Sequence, residues 1–390
     1  MSVTPLSVYI HVPFCAVRCG YCDFNTYTAT ELGGGGSQAE YADNACREMT
    51  LTLAADRAAG FDYPEVSTVF FGGGTPTLLP AEDLVRMLDH LRSLIPLADG
   101  AEVTTEANPD SVTPESLAQL AAAGVTRVSL GMQSAVPRVL QILDRTHSPE
   151  RVPHAVQWAR DAGLDVSLDM IYGTPGEKLT DVQATVEAIT AMQPDHVSAY
   201  SLIIEGNTKM ARQLRTGELD APDSDFMADA YTLIAERLRT AGFSWYEVSN
   251  WAREERFQCR HNLAYWRGGD WWGIGPGAHR HRNGMRSWNV KHPTRYAQML
   301  AREELPVQGR EQLTEDDRQV EALMLRLRLR EGLGIHELPI LQTDAARAVI
   351  AKHTSLGSLD AHAVTAGRLQ ITERGRLLAD GIVRDVLAAA

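Results

Sequence analysis

Cysteine is scarce in this sequence, with 5 in 390 residues, and basic side chains are in the minority, 37 Lys and Arg against 50 Asp and Glu. The net charge of −13 excludes nucleic acid as an expected partner and argues against an anionic membrane surface, since both repel an acidic protein. The one local basic stretch, Arg326, Arg328 and Arg330, reads as a solvated helix face. No apolar run reaches the roughly 18 residues of a spanning helix, and Met1–Leu6 lacks the basic and apolar regions of a signal peptide. A cytoplasmic protein with at most peripheral membrane contact is the expectation. The glycine run Gly33–Gly36 is not followed by the Lys-Ser/Thr of a phosphate loop, which leaves it as a mobile loop before a helix.

Strand and helix patterns alternate through the first part of the chain. Strands are expected at Ser7–Val12, Val66–Phe71, Glu102–Glu106, Arg127–Leu130, Val166–Met170 and Val197–Leu202. Amphipathic helices are expected near 38–58, 81–94, 114–123, 149–162, 179–191 and 224–241. Such alternation builds a parallel sheet with helices outside it. Six units are too few for a closed eight-stranded barrel, so the expected fold is α/β, a partial (β/α)6 barrel of the TIM type. Ligands then sit at the carboxyl ends of the strands. From about Gly242 the character changes. Trp245, Trp251, Trp266, Trp271, Trp272 and Trp288 crowd together, and from Thr314 the chain reads as helical and charged, with a short hairpin near Leu369–Thr372. The expected division is a core domain over 1–241 and a C-terminal region over 242–390. The latter splits into a tryptophan-rich segment, 242–310, and a small, mainly helical domain, 311–390, for which a winged-helix arrangement is one option.

Three of the five cysteines fall within eight residues, Cys15-x-x-x-Cys19-x-x-Cys22, directly after the first expected strand. An odd number of cysteines without a secretion signal does not suggest a disulfide framework. Three thiolates on one loop can each hold one iron of a cubane cluster and leave the fourth iron open, as a reactive site requires. A zinc site with His11 as fourth ligand is the other reading. Polar groups follow the remaining strands: Gly72–Pro76 after the second, Glu106-Ala-Asn108-Pro109 at the third, Gln133 at the fourth with Arg145 beyond it, and Asp169 at the fifth. Each has a plainer reading as turn, strand end or buried ion pair.

In combination these segments resemble the radical SAM proteins, and the Tyr9–Cys15 and Tyr21–Asn25 flanks resemble the HemN/HemW subgroup. The resemblance covers nearly the whole chain. It implies a [4Fe–4S] cluster on Cys15, Cys19 and Cys22, with S-adenosylmethionine (SAM) chelating the open iron and cleaved there to a 5′-deoxyadenosyl radical. It also implies that Tyr9, Tyr21, Gly73, Gly74, Thr75, Glu106, Gln133, Arg145 and Asp169 line the SAM pocket, and that an electron donor serves the cluster. No catalytic residue is assigned.

Two readings of function follow. Oxygen-independent coproporphyrinogen III oxidases resemble this chain, but they carry a further cysteine where Phe24 stands and a longer segment before Tyr9. The segment His261-Asn262-x-x-Tyr265-Trp266 instead resembles a HemW motif, which implies a heme chaperone that delivers to acceptor proteins, with respiratory hemoproteins as candidates. His261 is then the candidate heme ligand, with Cys259, Tyr265 and Trp266 secondary. Arg260, Arg267, Arg280 and Arg282 are candidate partners of the heme carboxylates. The plainer reading makes His261 a turn cap and Tyr265 and Trp266 core.

Overall fold

The computed structural model describes residues 5–30 and 32–389; Met1–Thr4 of the N-terminal segment, with Glu31 and Ala390, lie outside the described residues. Six parallel strands form the centre: β1 (Leu6–Val12), β2 (Val66–Gly73), β3 (Leu97–Ala107), β4 (Arg127–Gln133), β5 (Asp165–Tyr172) and β6 (His196–Ser201), adjacent in that order. All six expected strands are present. Crossovers between parallel strands need helices, and those helices cover the sheet. Helix Ala81–Leu94 buries Leu84, Met87, Leu88 and Leu91, the spacing of one helical face. Helix Arg151–Asp161 repeats it with Val152, Ala155, Val156 and Ala159. β1 is buried on both faces, as a central parallel strand must be.

The sheet does not close. β1 and β6 do not pair with each other, and each is extended instead by strands from beyond residue 242. On one side β7 (Ser244–Glu247) and β8 (Asn250–Ala252) form a hairpin whose second strand runs antiparallel to β6. On the other, β9 (Trp271–Ile274) runs parallel to β1 and leads into an antiparallel meander of β10 (His279–Arg282), β11 (Met285–Asn289) and β12 (Val307–Gln312). The tryptophan-rich segment thus covers both edges of the barrel sheet. Two buried carboxylates of helix Gln38–Ala58 fasten the meander. Glu48 accepts from the Gly275 amide (2.7 Å) and the Tyr296 hydroxyl (2.6 Å). Asp56 accepts from the Trp272 indole (2.9 Å) and pairs with Arg280 and Arg282.

The C-terminal part is helical, with Glu315–Arg326, Asp344–Ser355 and Ala379–Ala389 as its longer helices. The hairpin expected near Leu369 is replaced by a pairing of Arg368–Leu369 with the distant Leu333–Gly334. The Gly33–Gly36 run is docked rather than free: Thr294 Oγ1 donates to the Leu32 carbonyl (3.1 Å), Asn44 Nδ2 donates to the Gly35 carbonyl (2.8 Å), and a Cβ on Gly36 would lie 2.6 Å from the Thr294 amide. Among the described residues no helix is long and apolar enough to cross a membrane.

Candidate cofactor cavity

The carboxyl ends of the parallel strands surround a cavity of about 770 Å³. The loop after β1 and the loop after β2 are stitched together above it. The Gly74 amide donates to the Val12 carbonyl and the Thr75 amide to the Phe14 carbonyl, both at 2.8 Å. A Cβ on Gly74 would stand 2.4 Å from that Phe14 oxygen, so only glycine permits the approach. The cysteine loop is pinned at its base by Cys15 N donating to the Tyr27 carbonyl (3.0 Å) and Tyr27 N to the Pro13 carbonyl (2.7 Å). Cys15, Cys19 and Cys22 are free, half-buried thiols on the cavity wall.

Among the described residues no three His, Cys, Asp or Glu side chains converge as ligands of a single metal ion. His11 does not join the cysteines. Its Nδ1 is bonded to the Tyr9 hydroxyl (3.1 Å) and its Nε2 to the Asn25 carbonyl (3.0 Å). The zinc reading loses its fourth ligand, while three thiols spread along one loop suit a larger cluster with one iron unshared. Burial pushes the Cys15 thiol up to about 11 and raises that of Cys22. Cys15 and Cys22 are therefore disinclined to ionise on their own, and a cationic metal centre is what would ionise them.

The strand ends contribute polar groups. Glu106 accepts from the Gly73 amide (3.0 Å), tying β3 to the glycine loop. Gly73 has φ +107°, and a Cβ there would meet His11 Nδ1 at 2.4 Å. Gln133 has φ +62°, a left-handed conformation that costs a non-glycine residue energy and recurs at functional sites. Arg145 bridges two elements, donating from Nη2 to the Gly131 carbonyl (2.8 Å) and from Nη1 to Cys19 Sγ (3.8 Å). Two buried atoms of these lining residues, Gln133 Oε1 and Arg145 Nε, have no hydrogen-bond partner. Orphaned polar atoms of this kind mark a site built for a polar ligand.

Asp169 lies deeper, and Ser129 Oγ is 3.0 Å from each of its carboxylate oxygens. Burial pushes the Asp169 carboxyl up to about 6. Burial and the nearby Asp169 together push Glu106 up to about 7. Two crowded carboxylates reluctant to ionise will accommodate a cation readily. Gly73, Gly74, Thr75, Glu106, Gln133, Arg145, Asp169 and Tyr21 all line the cavity with the three cysteines. Tyr9 does not. Its ring packs against Phe70 beneath the cavity, at a centroid distance of 6.2 Å.

The residues expected at a heme site are not brought to this cavity. His261 is 1% exposed. Its Nδ1 is bonded to Thr68 Oγ1 (2.8 Å) and its Nε2 to the Tyr265 hydroxyl (2.9 Å), so neither nitrogen has a free lone pair for iron. The ring is stacked on Phe70 (5.1 Å between centroids). The helix Arg260–Trp266 enters the barrel interior near the starts of the strands, and Glu102 caps it by accepting from the Arg260 and His261 amides (3.0 and 3.1 Å). Cys259 is buried with its thiol donating to Glu102 (3.5 Å). Tyr265 stands edge-on to Trp271, and Trp266 packs beside Tyr246, Phe257 and Leu329. The four arginines are engaged as well: Arg280 and Arg282 with Asp56, Arg267 with Glu331, and Arg260 with the Gly100 carbonyl. The segment is packed into the protein, with Cys259 and His261 buried and Tyr265 and Trp266 half-buried, but His261 lies inside a helix and is not the turn cap of the plainer reading.

Sequence reasoning missed the end of the sixth strand. Tyr200, Ser201, Leu202, Ile203 and Glu205 complete the cavity wall. The signal is positional, since the other five parallel strands also present cavity residues at their carboxyl ends. Ser129 was also missed, because a serine inside a strand carries no mark of the carboxylate it serves.

A family model described as the radical SAM superfamily matches residues 9–189. The heme chaperone HemW of Mycobacterium tuberculosis is 51% identical over 99% of this chain and 96% of its own length. The heme chaperone HemW of Escherichia coli is 32% identical over the full length of both. Among solved structures, the coproporphyrinogen III oxidase HemN from Escherichia coli superposes with a TM-score of 0.81, covering 98% of this chain and 90% of that one at 23% identity, a likeness of fold.

Proposed function

The chain belongs to the HemW family of radical SAM proteins, and on that premise we propose that it is a heme chaperone, which binds heme and hands it to acceptor proteins. The superfamily implies a [4Fe–4S] cluster and SAM, and the residues present fit both. Cys15, Cys19 and Cys22 would each give one thiolate to the cluster. Gly73, Gly74 and Thr75 would let backbone approach SAM closely, Glu106 and Asp169 would offset its positive charge, and Gln133 and Arg145 would use their unpartnered atoms on its polar groups. Tyr21 would pack beside it. When bound, the SAM-liganded cluster supplies one-electron chemistry, and the protein's part is to position it and keep water out.

The observation that carries the cofactor half of this reading is the single cavity shared by the three thiols and the polar strand ends. The chaperone half rests on the full-length likeness to heme chaperones and on Phe24, which stands where the oxidases have cysteine. We assign the acceptors to hemoproteins, with respiratory ones as candidates, and the cluster's reductant to a separate electron donor in the cytoplasm. Anaerobic reconstitution followed by heme titration tests the proposal. A saturable Soret band at one heme per chain is expected; no saturable binding by cluster-loaded protein would overturn it.

A further inference from the structure

The large apolar side chains exposed among the described residues are not scattered evenly. Val17, Phe24, Tyr200 and Ile203 all line the same cavity, and Phe24 and Ile203 are 59% and 69% exposed. Val17 and Phe24 come from the loop after β1, Tyr200 and Ile203 from the end of β6 and the segment that follows it. Those are the two outer strands of the parallel core, so the apolar groups flank the barrel's open side. The remaining exposed large apolar residues, Leu179, Met324, Leu356, Leu377 and Leu378, lie outside the cavity. Apolar groups gathered around a pocket rimmed by polar ones mark a binding surface rather than chance exposure.

We propose that heme docks across this rim, with a porphyrin face on Val17, Phe24, Tyr200 and Ile203, as a cover over the SAM cavity. The proposal rests on the heme-chaperone reading above and names the site within it. Three features select a flat, apolar dianion over other occupants. The exposed rim carries the four apolar side chains beside Arg18 and the acidic Asp23 and Glu205, while Glu106, Asp169 and Gln133 lie at depth, so a ligand with an apolar face and one with polar groups would sort by chemistry. Arg18 lines the same cavity, is exposed, and has no ion pair or hydrogen bond among the described residues, which leaves its guanidinium for a heme carboxylate. Phe24 adds a large aromatic face at the position that the resemblance gives to cysteine in the oxidases. A cargo held at an open rim can also be released without unfolding, whereas a cargo at His261 would require the core to open.

The rim predicts that heme and SAM sense one another. The test uses the full chain with cluster and SAM loaded. Heme affinity is read by absorption, and SAM release by loss of labelled SAM with and without heme. The wild type should release SAM several-fold more slowly once heme is bound. Phe24→Ser with Ile203→Ser should weaken heme binding on the order of tenfold or more, from the lost apolar contact, and abolish the slowing. Iron content should stay at the wild-type value, and any change in SAM affinity without heme should be much smaller than the loss of heme affinity. Ile203→Ser alone, which lies outside the cysteine loop in sequence, should show the same trend if the double variant loses its cluster. Heme binding at full strength in these variants, with SAM release indifferent to heme, overturns the rim as the site. Absence of heme binding in the wild type overturns the chaperone reading and the rim with it.

Discussion

Thr68 and His261 meet in the barrel interior, Oγ1 to Nδ1 at 2.8 Å, although 193 residues of chain separate them. With Tyr265 on its other nitrogen, His261 joins the tryptophan-rich segment to β2 instead of presenting itself to a ligand. His261→Ala should therefore leave the Soret band and heme affinity of the reconstituted protein unchanged. It should lower stability by about 1–3 kcal/mol, the cost of leaving buried hydroxyls unpaired, measured by denaturant titration. Burial pushes the imidazole down to about 3. The unfolded chain takes up this proton first, so stability is present above pH about 6.5 and is lost as pH falls toward 3. The variant should lose less over that range.

Glu106 carries the opposite sign. Its carboxyl is held up to about 7 in the fold, so the fold is penalised once the group must ionise. Stability should fall as pH rises from about 4.5 through 7. Glu106→Gln should be more stable than wild type at pH 8 by about 2 kcal/mol, less than the full shift because the carboxyl borders an open cavity. SAM, a cation at its sulfur, binds the ionised forms of Glu106 and Asp169 better. Its affinity in the wild type should rise with pH between about 6 and 7, and this rise should shrink in Glu106→Gln. Calorimetric titration across that range checks both slopes.

Gln133 separates strain from binding. Gln133→Gly relieves the left-handed backbone and removes the side chain whose Oε1 lacks a partner. SAM affinity should fall about tenfold, the worth of one good hydrogen bond, with no loss of thermal stability. A drop in stability without a change in SAM affinity would make Gln133 structural.

The cluster assignment has its own check. Replacing Cys15, Cys19 and Cys22 together with Ala should abolish iron and sulfide uptake on reconstitution, against about four irons in the cubane of the wild type. Because burial holds the Cys15 thiol near 11, cluster loading must displace protons. It should be slower at pH 6.5 than at pH 8.

Much of the barrel was legible because its signals are local. The six strands are short β-rich runs between helices with one apolar face, as in Leu84, Met87, Leu88 and Leu91. Site residues lie toward the carboxyl ends of those strands, so Glu106, Gln133 and Asp169 could be named from position, and resemblance gave them roles. β7–β12 were not legible. Strands of three to six residues carry little alternation, and β9 finds β1 only through long-range pairing. The ambiguity of His261 was intrinsic as well. A histidine among aromatic residues reads alike as ligand or core until its two hydrogen-bond partners, Thr68 and Tyr265, are known. The exposed rim at Phe24 and Ile203 was equally hidden, since sequence does not tell an exposed apolar side chain from a buried one.

On the proposed function, this chain carries heme rather than consuming a porphyrinogen. The most direct test loads the reconstituted protein with heme, adds SAM and a reductant, and follows transfer to an apo-hemoprotein while coproporphyrinogen III is offered in a parallel reaction. Heme should appear on the acceptor, and coproporphyrinogen III should be recovered unchanged. Conversion of coproporphyrinogen III to protoporphyrinogen IX, with heme left on the protein, would contradict the proposed function.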